Sequence, residues 1–315
     1  MNSPRDLRIL DGSELERLAG EIRSLIIETT STTGGHVASS LGAVELAIAI
    51  HRALDSPRDK VIWDVGHQAY AHKIITGRRD RFCTLRQFGG ISGFPRRAEC
   101  SHDTVNSGHS GTAISYGLGL ALARDLIRQD YAICAVIGDG SMTSGIAYEA
   151  MNQAGQQLKS NMIIVLNDNE MSISRNVGGL AAYLSRLRIK PGYTHFKEEL
   201  EDVLKTMPGL GDGIIKVASH LKDTITHALV PGTMFDALGL KYVGPIDGHN
   251  ILEVEETIRE ARDIQGPVLV HAITLKGKGY APAERRPDEF HGVSSFDRES
   301  GVIGGGEGPR SFTDA

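Results

Sequence analysis

The sequence lacks the features that would direct it to a membrane, a secretory route or nucleic acid. It has 315 residues and no apolar run approaching the roughly 18 residues that a transmembrane helix requires. Its first ten residues, MNSPRDLRIL, lack the apolar centre of a signal peptide. The net charge is −5 and no basic block occurs, which argues against nucleic acid and anionic membrane surfaces as partners.

Cysteine is also scarce. The three cysteines, Cys83, Cys100 and Cys134, are odd in number and lack the spacing of a metal site. This favours a reducing compartment, so we expect a cytoplasmic protein. Hydrophobic residues (40%) and charged residues (23%) occur at ordinary globular frequencies, and the length suffices for one large core or two small domains.

The most informative stretch runs from Ile133 to Ser174. Two short runs rich in Ile and Val, at 131–137 and 162–166, predict buried strands of a parallel sheet. Between them, alanine and methionine recur at helical spacing, which predicts a crossover helix. The fold class that we expect is α/β, with a doubly wound, mostly parallel sheet of about five or six strands and helices on both faces.

A polar turn follows each of these two strands. Gly138-Asp139-Gly140 follows the first, and Asn167-Asp168-Asn169 follows the second. Glycines beside an acid allow close approach to a bulky anion, and carboxylate and amide oxygens suit Mg²⁺. Because ligands of such sheets bind at the carboxyl ends of the strands, the turns predict a diphosphate held through a divalent metal.

Other patterns predict the remaining elements. Ser13 and Glu16 form a capping-box pattern at the start of the first helix. The stretch 86–107 has no clear period and predicts an ordered loop over one edge of the site. Helices are predicted at about 13–30, 41–54, 68–76, 112–128, 180–187 and 251–262, and further strands at 61–63, 240–243 and 268–274.

Five polar residues follow separate element ends and are expected to converge: His36, His67, Asp139, Asn169 and Lys276. Ser110 and Gly111 precede a helix of small residues, where a flat ring could approach free backbone N–H groups.

Several longer strings resemble the 1-deoxy-D-xylulose-5-phosphate synthase family of the transketolase superfamily. The resemblance runs from about residue 7 to residue 297. It is carried by GGHVASSLGAVELAIAIH, VIWDVGHQAYAHKIITGRRD, GGISGFPRR, NSGHSGTAIS, VLNDNEMSIS, LVPGTMFDALGL, VGPIDGHN and TLKGKGYAPAE.

The resemblance implies thiamine diphosphate and Mg²⁺ as cofactors, and it assigns roles to individual residues. The metal ligands would be Asp139, Asn169 and the backbone carbonyl of Met171. The diphosphate would be held by Gly140, Ser141, Ser39, His67 and Lys276, and the aminopyrimidine would be lined by Gly108, His109 and Ser110. His36 and His67 would assist proton transfer as groups titrating near neutral pH, and His291 would come from a mobile segment that folds over the cofactor.

The implied reaction joins pyruvate, with loss of CO₂, to glyceraldehyde 3-phosphate and gives 1-deoxy-D-xylulose 5-phosphate. The family's chain is about twice as long, and its second half supplies the glutamate that activates the cofactor and the arginines that bind the substrate phosphate. We therefore expect a diphosphate-binding domain over 1–300, with a helical insertion at about 180–230, and at 301–315 a Gly-rich linker that opens a second domain.

Two explanations of the length stay open, a split enzyme whose second subunit supplies the rest and a truncated chain. An exposed apolar face is expected to drive association with such a partner or with a second copy. Two other functions also stay open. One is a split transketolase-like subunit acting on another ketose or 2-oxo acid, and the other is a non-catalytic remnant that binds cofactor. Gly111 stands where the family often has a serine, which leaves the substrate open.

Overall fold

A computed structural model describes residues 3–157, 160–174, 176–189 and 234–304. Within these residues, five strands form one sheet in the order β1-β2-β3-β5-β4, and every pairing is parallel. The strands are β1 (Lys60–Trp63), β2 (Ile133–Gly138), β3 (Met162–Asp168), β4 (Lys241–Asp247) and β5 (Pro267–Ile273). The predicted α/β class with a parallel sheet is confirmed.

Helices precede β1 and connect the strands. The α-helices are α1 (Gly12–Thr33), α2 (Val37–Gly42), α3 (Val44–Ala53), α4 (Tyr70–Lys73), α5 (Ala113–Leu126), α6 (Asp139–Met142), α7 (Gly145–Gln156), α8 (Gly179–Ile189), α9 (Met234–Ala237), α10 (Ile251–Asp263) and α11 (Ala281–Arg285). A π-helical turn covers Ile74–Arg78, and 3₁₀ turns cover Pro4–Ile9, Arg79–Thr84 and Glu289–His291. No helix among the described residues is both long and apolar enough to cross a membrane.

Strands β2, β3 and β5 are buried on both faces, which explains their uninterrupted apolar sequences, whereas the edge strand β4 alternates between buried and more exposed residues. Side chains alternate along β2, so Cys134 and Val136 join the core under α1, α3 and α10, while Ala135 and Ile137 join the core under α5, α7 and α8. Burial raises the pKa of the Cys134 thiol to about 12, so this cysteine acts as a small apolar side chain, as expected from the sequence.

The strand order places a crevice at the carboxyl edge of the sheet. The connections β1–β2 and β2–β3 each lead to the next strand in the same direction across the sheet, and their helices α5 and α7 lie on one face. The connection from β4 to β5 steps back, and its helix α10 lies on the other face. A right-handed crossover that runs in the reverse direction along the sheet must lie on the opposite face. The chain therefore leaves the neighbouring strands β3 and β5 in opposite directions, and the crevice lies between their carboxyl ends.

Three predicted helices differ from the observed ones. The capping box of α1 uses Asp11 and Glu14, so the prediction of Ser13 and Glu16 is wrong. The Asp11 carboxylate accepts both the Glu14 N–H and the Ser13 hydroxyl, because a carboxylate is the stronger acceptor. The predicted helix 41–54 is two helices that meet at Ala43, and the predicted helix 68–76 is α4 followed by the π-helical turn.

Two domain-level predictions lie largely outside the described residues. Of the insertion expected at about 180–230, α8 and the segment before it are described, and residues 190–233 lie outside. Of the Gly-rich linker expected at 301–315, residues 305–315 lie outside.

Candidate active site

A buried carboxylate with an unpartnered oxygen lies at the end of β2. Asp139 is the first residue of α6 and is 2% exposed. Its Oδ1 accepts a hydrogen bond from the Gly140 N–H at 3.0 Å, whereas its Oδ2 is buried without a partner among the described residues. Buried polar atoms are rarely left unpaired, so this oxygen fits a cation that would approach from the crevice.

A second carboxylate, at the end of β3, lies against the first. Asp168 accepts hydrogen bonds from His271 Nε2 at 2.8 Å and Arg188 Nε at 2.9 Å. Burial acts to raise the pKa of Asp168, but these two donors outweigh it and hold that pKa well below its usual range. Burial and the adjacent Asp168 carboxylate raise the pKa of Asp139 well above its usual range. The two carboxyl groups therefore favour a single negative charge between them, unless a cation binds at this site.

The two other predicted metal ligands lie in the turn after β3. The Asn169 Oδ1 accepts the Met171 N–H at 3.2 Å, which forms an Asx turn. Among the described residues, no three side chains of His, Cys, Asp or Glu are grouped as a metal site. The predicted set contains a single carboxylate, completed by an amide and a backbone carbonyl, so it stays a prediction.

Lys276 joins three turns at the crevice. Its ammonium group donates to the Ser172 carbonyl. Ser172 in turn packs on Gly140, where an added Cβ would lie 2.6 Å from the Ser172 Cβ. Lys276 is 4% exposed, and burial lowers its pKa to about 8 against the opposing effect of Asp139 and Asp288. A buried ammonium group that faces a crevice is suited to an anion.

Three histidines form a cluster beside Lys276. The ring centroids of His36 and His67 are 5.8 Å apart, those of His36 and His291 5.7 Å, and those of His67 and His291 5.3 Å. The Ser39 hydroxyl lies 3.4 Å from the His291 Nδ1. On spacing alone His291 reads as a surface histidine, and the structure places it inside this cluster.

All three imidazoles are neutral at pH 7. Burial, followed by the charges of neighbouring groups, lowers the pKa of His36 and of His291 to about 4 and that of His67 to about 3. The expectation that His36 and His67 titrate near neutral pH is therefore wrong for the unliganded chain. The physical reason is that these rings are buried and have no carboxylate partner within the described part of the chain, while Lys276 lies near His67 and His291.

Glycines position His36 at the start of α2. An added Cβ on Gly35 would lie 2.6 Å from the Tyr70 hydroxyl, which accepts the His36 N–H at 3.1 Å. Gly35 also exchanges two backbone hydrogen bonds with Val293, at 2.9 and 3.0 Å. The segment that carries His291 is thus fastened beside His36.

The turn after β1 is strained, and it presents His67. Val65 has a φ of 59°, a conformation that β-branched residues rarely adopt. The Ser40 hydroxyl holds the His67 carbonyl at 2.9 Å and so ties this turn to α2. Strain of this kind persists where the surrounding structure fixes the backbone, as it does at many functional sites.

The predicted ring-binding residues Gly108, His109 and Ser110 are exposed at the rim of the crevice. Sequence reasoning missed the residue that holds their loop, which is the buried Asp64. Its carboxylate accepts the N–H groups of Gly111 at 2.9 Å and Ala113 at 3.0 Å, and so caps α5. Ser141, by contrast, is half-buried in α6.

The fold is shared with transketolases. Residues of this chain superpose on the transketolase of Campylobacter jejuni with a TM-score of 0.64 over 89% of this chain and 40% of that one, at 18% identity. The transketolase of Leishmania mexicana gives a TM-score of 0.59 over 85% of this chain and 37% of that one, also at 18% identity. At such identities the likeness concerns the fold alone.

Sequence comparison narrows the class to one family. The family model described as 1-deoxy-D-xylulose-5-phosphate synthase matches residues 1–274, and the chain belongs to that family. The synthase of Syntrophomonas wolfei is 54% identical over 96% of this chain and 47% of its own length. That of Heliobacterium modesticaldum is 51% identical over 99% of this chain and 48% of its own length. The chain thus spans about half the length of the curated relatives it matches.

Proposed function

We propose that the chain is the diphosphate-binding half of a 1-deoxy-D-xylulose-5-phosphate synthase. In this reaction pyruvate loses CO₂ and its two-carbon remainder joins glyceraldehyde 3-phosphate. The observation that carries the proposal is the crevice itself. There the Asp139 Oδ2, buried and unpartnered in the described structure, and the buried Lys276 ammonium group lie in turns that Ser172 connects. A metal diphosphate supplies both charges that this pair of groups lacks.

The residues present fit thiamine diphosphate bound through Mg²⁺. The Asp139 Oδ2, the Asn169 side chain and the Met171 carbonyl would hold the metal. The diphosphate would lie against Gly140, Ser141, Ser39, His67 and Lys276, and the aminopyrimidine against Gly108, His109 and Ser110. When bound, thiamine diphosphate supplies the electron sink for decarboxylation.

The histidine cluster supplies neutral bases next to the reacting atoms. The Nδ1 atoms of His36 and His67 are buried without partners among the described residues, so each can accept a proton or a hydrogen bond. A diphosphate beside His67 would favour its protonated form and raise its pKa from about 3 towards neutrality.

The apolar rim of the crevice supports a second polypeptide as partner. Four side chains are exposed on or beside the site turns: Tyr116 (47%), Ile146 (43%), Ile173 (64%) and Val177 (85%). Exposed apolar groups around a binding site are typical of a surface that another domain covers. That domain would be the carboxyl-terminal half of the synthase, with its activating glutamate and phosphate-binding arginines. A second copy of this chain is the competing occupant.

Calorimetry on the chain tests the cofactor site. We expect thiamine diphosphate to bind in the presence of Mg²⁺ and to lose at least about 10-fold in affinity when Mg²⁺ is chelated, since the metal links Asp139 to the diphosphate. The variant Asp139→Asn should show the same loss with Mg²⁺ present. Equal affinities of the variant and the parent chain would contradict the proposed metal site.

Turnover tests the dependence on a second half. The purified chain with cofactor, pyruvate and glyceraldehyde 3-phosphate should give no product, and addition of the carboxyl-terminal half of a relative should restore product formation. Robust synthesis by the chain alone would contradict this dependence. If thiamine diphosphate binds neither to the chain alone nor to the chain with that half, the enzymatic function falls and a remnant that regulates a full-length synthase takes its place.

A further inference from the structure

The turn that carries Lys276 is fastened by a buried cluster that the proposed site does not use. The cluster consists of Arg23 in α1, Glu45 in α3 and His249, which follows β4. His249 belongs to the string VGPIDGHN, to which the function described so far assigns no role. We call these three residues the Arg23–Glu45–His249 cluster.

One end of the cluster holds the residue before Lys276. The Leu275 N–H donates to His249 Nε2 at 2.7 Å. Because Nε2 accepts this hydrogen bond, the ring proton of the neutral imidazole lies on Nδ1. Nδ1 then donates to Glu45 Oε2, which lies 3.1 Å away.

The other end holds the residue two positions after Lys276. The Arg23 guanidinium group donates to both carboxylate oxygens of Glu45, at 2.7 and 2.5 Å. Its Nε donates to the Lys278 carbonyl at 3.0 Å. The hydrogen bonds therefore run from Leu275 through the cluster to Lys278 and enclose Lys276.

The turn needs such support because its backbone is permissive. Gly277 and Gly279 have φ values of 83° and 82°, and glycine populates other conformations as readily. Outside the cluster, the Gly277 N–H donates to the Ala38 carbonyl at 2.8 Å. Three other hydrogen bonds lie within the turn or just after it, so the bonds of the cluster act by narrowing the backbone conformations that direct Lys276 into the crevice.

Stability alone does not account for the cluster. Arg23 and Glu45 are 9% and 5% exposed. The attraction within a buried ion pair at best offsets most of the free energy needed to remove its two charges from water. Burial acts to raise the pKa of Glu45, but the hydrogen bonds from His249 and Arg23 outweigh it and lower that pKa to about 2. Glu45 is thus a permanent anion that orients two donors.

We infer that His249 is a positioning residue: it accepts the Leu275 N–H, with Glu45 and Arg23 orienting its ring, and so holds the Lys276 ammonium group where a diphosphate binds. The inference rests on the proposed function, in which Lys276 contacts the diphosphate. It predicts that changes at His249 alter diphosphate affinity only through Lys276.

Two substitutions at His249 separate its two hydrogen bonds. In His249→Gln the side-chain amide reaches the position of Nε2 and can still accept the Leu275 N–H, whereas in His249→Asn it reaches only the position of Nδ1 and donates to Glu45. With Mg²⁺ and thiamine diphosphate in calorimetry, His249→Gln should stay within about 3-fold of the parent affinity, and His249→Asn should lose roughly 10-fold. Equal losses in both variants would overturn the inference.

A double-mutant cycle decides whether the effect passes through Lys276. Lys276→Gln should weaken binding by itself, and His249→Asn should add less than about 2-fold in that background. If His249→Asn weakens binding equally in both backgrounds, its role is merely structural and the inference falls. If Lys276→Gln leaves affinity unchanged, the proposed diphosphate site falls as well, so the two failures are distinguishable.

Thermal unfolding without ligand supplies the control for stability. Glu255→Gln removes a comparable ion-pair acceptor, 2.5 Å from Arg52 Nε, that contacts no residue of the Lys276 turn in the described structure. It should lower the unfolding temperature without lowering affinity. Should His249→Asn fail to fold, Glu45→Gln takes its place, with the same expected loss and the same cycle.

Discussion

Glu45 is a buried carboxylate that stays ionised because three cationic or polar donors surround it. Arg23 and His249 donate to it, and the Lys278 Nζ lies 3.5 Å away. The folded chain therefore releases the Glu45 proton about two pH units below the pH at which an unfolded chain does, since its pKa falls from 4.5 to about 2.

This shift predicts a stability difference that depends on pH. The contribution of Glu45 is fully present above pH 4.5 and is lost as the pH falls towards 2, with a slope of at most about 1.4 kcal/mol per pH unit for one proton. Urea unfolding of Glu45→Gln and the parent chain should therefore give a gap in unfolding free energy at pH 6 that narrows at pH 3. The exposed Glu149→Gln serves as control. A gap of constant size would show that Glu45 does not carry this linkage.

At the scale of elements, α5 depends on a residue outside itself. The Asp64 carboxylate, 1% exposed, accepts two N–H groups at the amino-terminal end of this helix. Asp64→Asn would turn one acceptor into a donor that faces another donor, which should cost about 2 kcal/mol of unfolding free energy. Hydrogen exchange should accelerate at Gly111 and Ala113. In Asp130→Asn, at a carboxylate 95% exposed, neither quantity should change measurably.

Strands β2, β3 and β5 could be predicted from the sequence because burial on both faces leaves an uninterrupted apolar run. The break between α2 and α3 could not, because its cause is remote in sequence. An added Cβ on Gly42 would lie 2.8 Å from the carbonyl oxygen of Leu275. The predicted capping box was wrong for a local reason, since Asp11 and Glu14 offer the same pattern two residues earlier and the Ser13 hydroxyl donates to Asp11 instead.

The same distinction, between signals that are local in sequence and contacts between remote residues, applies to the site. The residues that the resemblance supplied lie in recognisable turns, and the structure places His36, His67 and His291 in one cluster. The residues that support them were missed. Asp168 has partners on β5 and α8, and His249 has partners on α3 and on the turn after β5. No spacing along the chain reveals these contacts.

At the scale of the whole molecule, the apolar rim is expected to be an interface. Ile146 packs beside Gly111 and is 43% exposed, so Ile146→Arg would place a charge on the apolar rim without disturbing the core. We expect it to weaken association with a carboxyl-terminal half by at least about 10-fold, measured by sedimentation, while the unfolding temperature stays unchanged. The matched control is Leu126→Arg. Leu126 is 83% exposed and ends α5, whereas Tyr116 of the apolar rim lies near the start of that helix. Equal association of both variants would place the interface elsewhere.

The contact between Ser39 and His291 spans 252 residues of sequence. A ribosome that adds about 5 to 20 residues per second needs about 13 to 50 s to cover that interval. Throughout this time the nascent chain carries His36 and His67 before the segment that covers them has been made. The order of synthesis thus leaves His36 and His67 uncovered until the segment that carries His291 has been made. A pause late in translation would prolong that exposure.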